Sequence, residues 1–578
     1  PLGPLPPPQR QGSAAAPPPA TPPRGAAAQP VPVPSATLPP STPLPTSPSA
    51  DATPATEAPY GPAVAARFPD PPVTFKTPAF APGHAGFTSN PELHAALAEL
   101  VRSSNQRLEG ADVKLLALGT SQNGTPLEAL LLSRKDGGSG LASLTRPASG
   151  VGSGRPTVLL VGQQHGDEPA PAEALLVVAQ ELAGGRLEPV LEHVDVIVMP
   201  RANPDGAEAG RRTTANGIDV NRDHLLLQTP EAQAQAILMR NFAPIVAVDA
   251  HEYTVVGRFL EKFGAVQRYD ALIQYATTAN VPEFVTKAAE EWFREPVFAR
   301  LKEAGFSTEW YYTTSNDIND KKISMGGTQP DTGRNVNGLT NAVSVLIETR
   351  GVGLGRVHLA RRVQTHVVAL ESLLQSAAAR AADMVKVRQY VDQEVSALAC
   401  HGEVVVEAAP TPSEHRLLMI DPETGADKPV VVAWDSALQL RNLKARPRPC
   451  GYWLAEQEGD AVQRLRALGV QVLRIDQAAE VRGEYYRETA REVAARDDVR
   501  GPLAEAGVLR LKVQLVPALL DLKPGGFYVP LDQPLGNLVV AALEPDTQNS
   551  YMANHVIGSL DAQARVLVPP TLSTTPVE

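Results

Sequence analysis

The residues best suited to chemistry stand in one short turn, Gly162-Gln163-Gln164-His165-Gly166-Asp167-Glu168. The apolar run Thr157 to Val161 before it reads as a buried strand, so His165 and Glu168 fall just beyond that strand's carboxyl end. Open α/β sheets place their reacting groups there. An imidazole and a carboxylate separated by two residues can both turn toward one cation from a single tight loop. Alone the spacing is common, and a surface loop carrying a His and a Glu explains it as well. Downstream, however, three further polar groups stand at or after the ends of apolar runs: Asp219-Val220-Asn221-Arg222, His251-Glu252-Tyr253 and Glu348. Two neutral imidazoles, His165 and His251, and one carboxylate, Glu168, with a fourth position open, form the ligand set of a catalytic zinc that activates water. His251 lies 83 residues after Glu168 (251 − 168 = 83), so the site is closed by folding. Structural zinc sites usually draw on Cys; the two cysteines here, Cys400 and Cys450, lie elsewhere and neither belongs to a CxxC.

The elements that must position these groups alternate between strand and helix. Asn90 to Arg107 reads as a first helix behind an Asn-Pro start. Val113–Leu118 and Leu127–Ser133 read as strands joined by Ser121-Gln122-Asn123-Gly124, a hairpin signal. A helix follows the HxxE turn over 169–182. The strand Val194–Met199 delivers Arg201-Ala202-Asn203-Pro204-Asp205-Gly206, the strand 244–250 ends in His251, and Val343–Ile347 delivers Glu348. Residues 356–395 form one long closing helix, and the stretch between, through the polar loop 313–337, is read as helical and loop material. This alternation predicts an α/β fold with a mixed, mostly parallel central sheet flanked by helices. After 397 the character changes to short β-rich runs and one α/β-like unit, so residues 73–397 are expected to form the catalytic domain. Residues 398–578 are expected to form a smaller mixed α/β domain of no located chemistry.

Composition narrows the function classes. A formal net charge of −11, 5% aromatic residues and the lack of a basic run with interleaved aromatics argue against a nucleic-acid partner. No apolar stretch approaches the roughly 18–20 residues that span a bilayer. Of the first 60 residues 20 are Pro, too little apolar material to offset ordering entropy, so residues 1–72 are expected to be a disordered tether. The chain opens on Pro1 rather than Met, and an upstream segment is expected to have been removed. A tether of this kind predicts an exported enzyme, periplasmic or extracellular, where Cys400 and Cys450 could pair. No Gly-x-Ser-x-Gly is present to serve as a nucleophile elbow, and Gly351-Val352-Gly353-Leu354-Gly355 lacks the Lys-Ser/Thr of a phosphate loop.

HxxE, then NPDG, then GxDxNR, then a strand ending in His-x-Tyr, then a strand delivering a Glu is an ordered set that resembles the zinc metallocarboxypeptidase family. The resemblance covers roughly residues 90–390. It implies one Zn2+ held by His165, Glu168 and His251, and Asp219 accepting a hydrogen bond from the His165 ring. It also implies Asn221 and Arg222 gripping the terminal carboxylate of a peptide, Arg212 stabilising the oxyanion, Glu348 as general base and Tyr253 as a subsite residue. His224 and Glu252 are read as structural. The sequence departs from the pattern where a mobile tyrosine is expected, since none lies between Lys321 and Ile347; Tyr311 and Tyr312 are the nearest. Arg334, 14 residues before Glu348 (348 − 334 = 14), either receives an acidic substrate side chain or pairs with Asp331.

The expected activity is removal of a C-terminal residue from peptides. Two alternatives stay open: a zinc deacylase of N-acyl amino acids, of the aspartoacylase and succinylglutamate desuccinylase type, and a non-catalytic binding protein with a vestigial site.

Overall fold

The computed structural model describes residues 57–135, 154–495, 507–547 and 549–577. Its first thirteen strands are β1 (Ala111–Thr120), β2 (Pro126–Arg134), β3 (Thr157–Gly162), β4 (Asp195–Met199), β5 (Val246–Thr254), β6 (Val266–Gln267), β7 (Ala271–Tyr275), β8 (Thr308–Trp310), β9 (Thr313–Thr314), β10 (Ile323–Ser324), β11 (Val343–Val352), β12 (Glu403–Ile420) and β13 (Asp427–Pro447). The central sheet has the order β1-β2-β4-β3-β5-β11-β7-β8. Its inner strands β4, β3, β5 and β11 run parallel, the expected mixed and mostly parallel arrangement. Every residue of β3 and β4 is buried, because helices cover both faces. Leu175, Leu176 and Leu182 of the helix Ala170–Gly184 and Val363, Leu370 and Leu374 of the helix Leu359–Ala379 pack on one side. Ala234 and Leu238 of the helix Pro230–Phe242 pack on the other.

The order of the inner strands makes the cleft. From β3 the chain moves outward to β4, then crosses back over β3 to β5, and such a reversal opens a crevice at the strands' carboxyl ends. Register completes the arrangement: Gly162 of β3 stands beside Ala250 of β5, and His251 of β5 stands beside Glu348 of β11. The end of β3 and the neighbouring stretches of β5 and β11 therefore meet at one place.

The turn after β3 is held by the segment after β4. Ala202 N–H donates to the Gly162 carbonyl at 3.0 Å, Asn203 N–H to Gln163 at 3.1 Å and Asn203 Nδ2 to Gln164 at 3.1 Å. The Asn203 side chain also caps the helix that follows, accepting from Gly206 N–H at 2.9 Å. Within the turn Gln163 has φ 48°, uncommon for a residue with a Cβ. Gly166 lies so close to Gly206 that a Cβ on it would meet the Gly206 carbonyl carbon at 1.9 Å. The Asn203-Pro204-Asp205-Gly206 stretch is thus the buttress of the turn that carries His165.

Several expectations change. Ala271–Tyr275, read as helical material, is strand β7, antiparallel to β11; a five-residue apolar run carries no decisive period. The single closing helix is two, Leu359–Ala379 and Ala381–Ala397, interrupted at Arg380. The tether expected over 1–72 lies, for residues 1–56, outside the described residues. Residues 57–72 instead pack against the fold: Val64 and Phe68 are buried and Arg350 stacks over the Phe68 ring at 3.4 Å. Composition missed this because Tyr60, Val64 and Phe68 are the apolar residues that end the Pro-rich run.

Beyond 397 the short strands expected are instead two long hairpins, β12–β13 and Ala479–Ala494 with Val508–Leu522. Two-stranded ribbons are exposed on both faces over much of their length, which dilutes any alternation. β12 pairs with β6 and β13 with β10, giving a five-stranded sheet β6-β12-β13-β10-β9. Leu225, Leu226, Val336 and Leu339 share a core with Tyr452, Leu465, Val539 and Tyr551. The boundary expected at 397 marks a change of architecture but no break in packing. Cys400 and Cys450, both after that boundary, form a disulfide.

Gly166→Ala is expected to lower stability by 1–3 kcal/mol or more through overpacking, read by urea unfolding. Cys450→Ser removes a cross-link with a sequence separation of 50 residues and is expected to cost up to about 4 kcal/mol in the same measurement.

Candidate metal centre

Three donor groups converge where the turn after β3 meets the carboxyl-terminal part of β5. His165 Nδ1 is 2.7 Å from Glu168 Oε1, His251 Nδ1 is 2.8 Å from Glu168 Oε2, and the two Nδ1 atoms are 3.1 Å apart. One ligand atom from each residue lies within 4.8 Å of the others, and all three side chains are buried. Two imidazole nitrogens this close either share a proton or face a common cation. The outer nitrogens settle which. His165 Nε2 meets Asp219 Oδ1 at 3.0 Å and His251 Nε2 meets Asp249 Oδ1 at 2.8 Å. A carboxylate only accepts, so each Nε2 carries the proton and each Nδ1 offers a lone pair. Two neutral imidazoles and a carboxylate fit a divalent cation such as zinc. Glu168 Oε2 is further fixed by Glu252 N–H at 3.0 Å.

Around this point the charges are ordered. Arg212 Nε donates to Asp219 Oδ2 at 2.9 Å, and its Nη1 stands 3.7 Å from Glu168 Oε1. Burial raises the Asp219 carboxyl, but Arg212 and His165 outweigh it and hold the group well below the usual carboxylate range. Glu348, 8% exposed, behaves oppositely. Burial and the neighbouring Glu168 push it up to about 7, while His251, His165 and Arg212 pull the other way. Cleft carboxyls moved toward neutrality in this manner are suited to proton transfer.

The expected substrate residues are placed as follows. Asn221 is buried, with its Oδ1 accepting from Gly333 N–H at 2.8 Å and its Nδ2 near both Asp249 Oδ2 (3.4 Å) and His251 Nε2 (3.1 Å). Arg222 donates from Nη1 to the Asn221 carbonyl at 2.7 Å. Arg334 is buried and donates from Nη2 to the Gly327 carbonyl at 2.8 Å, while its Nε and Nη1 meet no acceptor among the described residues. Its guanidinium lies 5.8 Å from the Tyr311 ring. Burial and Glu348 push the Tyr311 hydroxyl up, with Arg334, Arg222 and Arg212 opposing, so these groups share one neighbourhood.

Residues 104–350 match the family model described as zinc carboxypeptidase. That stretch is a zinc carboxypeptidase domain. It is a metallocarboxypeptidase, a hydrolase of peptide bonds. Carboxypeptidase 2 of Trichophyton rubrum is 28% identical over 406 residues, 69% of this chain and 74% of that protein. Carboxypeptidase 2 of Trichophyton tonsurans is 26% identical over 485 residues, 83% of this chain and 86% of that protein. Carboxypeptidase D of Mus musculus is 36% identical over 124 residues, 20% of this chain and 9% of that protein.

One expected residue of this carboxypeptidase is not at the surface of the cleft. Tyr253 is 6% exposed, packs in the core with Tyr269, Leu272 and Tyr312, and donates its hydroxyl to the Tyr269 carbonyl. The strand carries it on the same face as His251, but one turn of the pleat further on, where β6 and β7 close over it. Sequence reasoning also missed Asp249 and Gln164. The signal was present: Asp249 precedes His251 by two residues, and period two along a strand sets both side chains on one face. Glu252, on the opposite face, is a fully buried partner of Arg362 and accepts from Ala170 N–H, as a structural residue would.

Tyr253→Phe is expected to cost about 1 kcal/mol of stability, the worth of one buried hydrogen bond, and to leave KM for peptides within twofold. Thermal unfolding and steady-state kinetics check both.

Proposed function

We propose that this carboxypeptidase removes the C-terminal residue of a peptide by attack of water on the last peptide bond, with zinc held by His165, Glu168 and His251. The observation that carries the reading is the meeting of three donor groups, where the turn after β3 meets the carboxyl-terminal part of β5, beside an unligated carboxylate, Glu348, on the adjacent β11. Zinc there supplies a Lewis acid and lowers the pKa of water toward ~7.

The chain's own residues do the rest. Glu348 takes a proton from the attacking water and passes it to the leaving nitrogen. Arg212, anchored through Nε on Asp219, keeps its remaining donors for the oxyanion that develops on the scissile carbonyl. Arg222 offers a planar fork to the terminal carboxylate, which matches it bidentately. Asn221 lines the same spot, but its amide is already committed to Gly333 and Asp249, so the carboxylate rests chiefly on Arg222. Arg334 brings unmatched donors on a buried cation, which suits an acidic side chain on the residue removed. Tyr311 lies over this region and fills the place for which no tyrosine exists between Lys321 and Ile347. The Cys400–Cys450 disulfide favours an oxidising compartment, and so an exported enzyme.

Glu348→Gln is expected to lower kcat by 10²–10⁴-fold with zinc content unchanged. Chelation should abolish release of free amino acids from peptides, and added zinc should restore it. Because a protonated Glu348 cannot accept a proton, kcat/KM should fall as the pH is lowered. The midpoint should lie between the ordinary value of 4.5 and about 7, since the cation offsets part of the rise due to burial. Arg334→Ala should raise KM for peptides ending in Glu or Asp at least tenfold more than for those ending in Leu. Release from N-acyl amino acids with none from peptides would overturn the peptidase reading.

A further inference from the structure

The two histidines of the centre are held in unlike ways. Behind His165 stands Asp219, itself clamped by the Arg212 guanidinium. Behind His251 stands Asp249, which the structure surrounds with neutral groups. Asp249 Oδ1 accepts from Gln164 Nε2 at 2.7 Å, and Gln164 Oε1 lies 2.7 Å from His224 Nε2 and 3.3 Å from Gln235 Nε2. All of these side chains are buried: Gln164 is 1%, His224 6%, Gln235 3% and Asp249 4% exposed. They come from the turn after β3, the loop before the helix Pro230–Phe242, that helix, and β5.

Hydrogen-bond polarity fixes the direction of the whole chain. Asp249 is an acceptor only, so Gln164 must present its NH2 to it. The Gln164 oxygen then faces His224, which must carry its proton on Nε2. At the other end a lone pair on His251 Nε2 would face the Asp249 oxygen at 2.8 Å, so that nitrogen is also protonated. Asn221 Nδ2, 3.1 Å from the ring, therefore donates to Asp249 Oδ2 and not to His251. Only this assignment leaves His251 Nδ1 with a lone pair pointing at Glu168 and His165. Packing leaves no slack, since a Cβ on Gly333 would come within 3.0 Å of His224 Nε2 and 3.4 Å of Asp249 Oδ2.

We propose that His224 and Gln164 are positioning residues for the metal: through Asp249 they hold His251 in the one tautomer that can bind it. This rests on the reading of His251 as a zinc ligand. His224 touches neither the cation's place nor the substrate, and it acts only through two intervening side chains.

Loss of a group hydrogen-bonded directly to a ligand typically changes metal affinity by 10–100-fold, and the lower end of that range is expected for groups acting through Asp249. The test is zinc affinity of the purified full chain, measured by competition with a chromophoric chelator. His224→Phe keeps a ring of similar size without a donor, and His224→Gln returns an N–H near the original Nε2. The first is expected to weaken zinc binding at least tenfold, the second to stay within threefold of the parent protein. Gln164→Glu, nearly isosteric, turns an acceptor toward Asp249 and is expected to weaken zinc at least tenfold as well. Unfolding midpoints of the metal-free variants show whether each is folded, and if His224→Phe is not, Gln164→Glu decides alone. Equal zinc affinity for His224→Phe and His224→Gln, or parent-like affinity for Gln164→Glu, overturns the relay while leaving the zinc site intact. A parent protein that binds no zinc would instead overturn the reading beneath it.

Discussion

Holding two imidazoles and a carboxylate within 3.1 Å of one another inside a protein is unfavourable until lone pairs and protons are arranged to agree. Much of the polar structure answers to that requirement. Asp219 and Asp249 take the outer protons of the two rings, Arg212 neutralises Asp219, and Glu252 lends its backbone N–H to Glu168 while its side chain ties the helix Leu359–Ala379 to the back of the sheet through Arg362. None of these groups needs to touch a substrate. They make a place where a divalent cation is the missing member of a set of charges.

The backbone around that place is correspondingly tight. Gly166 lies against the Gly206 backbone where no Cβ would fit, and Gln163 adopts a left-handed conformation between a strand and the turn that carries His165. Strain and close approach of this kind persist only where the surroundings over-determine them. Here the surroundings are the β4 strand end and the Asn203 amide, which bonds the turn from one side and caps a helix on the other. The order HxxE then NPDG in the chain is therefore also a physical contact.

The inner strands and the metal-facing residues were legible because each was marked twice, by an apolar run and by a polar group at its end. β3, β4, β5 and β11 all follow that rule: His165 and Glu168 stand just beyond β3, while His251 and Glu348 end the apolar runs of β5 and β11 although both strands continue past them. What stayed hidden lacked a second mark. β7 is five residues without a distinguishing period. Tyr253 followed a ligand histidine and looked like a subsite residue, yet three dimensions close β6 and β7 over it. Asp249 and Gln164 each sit beside a ligand in sequence, but their partnership links residues 85 apart and exists only after folding. The long hairpins past 397 were shortened in the reading because ribbons exposed on both faces do not alternate.

The hairpin β12–β13 carries a consequence for what counts as the enzyme. β13 pairs in parallel with β10, and the Asp435 carbonyl receives Met325 N–H at 3.1 Å. Two residues further on, the Gly327 carbonyl receives both Arg334 and Asn335. A match covering 83% of the 578 residues extends past 397 wherever it begins, so the fungal relative shares part of this region. A protein trimmed after Ala397 would retain every histidine, carboxylate and arginine discussed for catalysis. It would nonetheless lose the template for the loop beside Arg334, with β10 left holding only β9. On the selectivity role proposed for Arg334, truncation is then expected to blur the choice of substrate before it loosens the metal, so a region without catalytic groups of its own would still shape what the enzyme accepts.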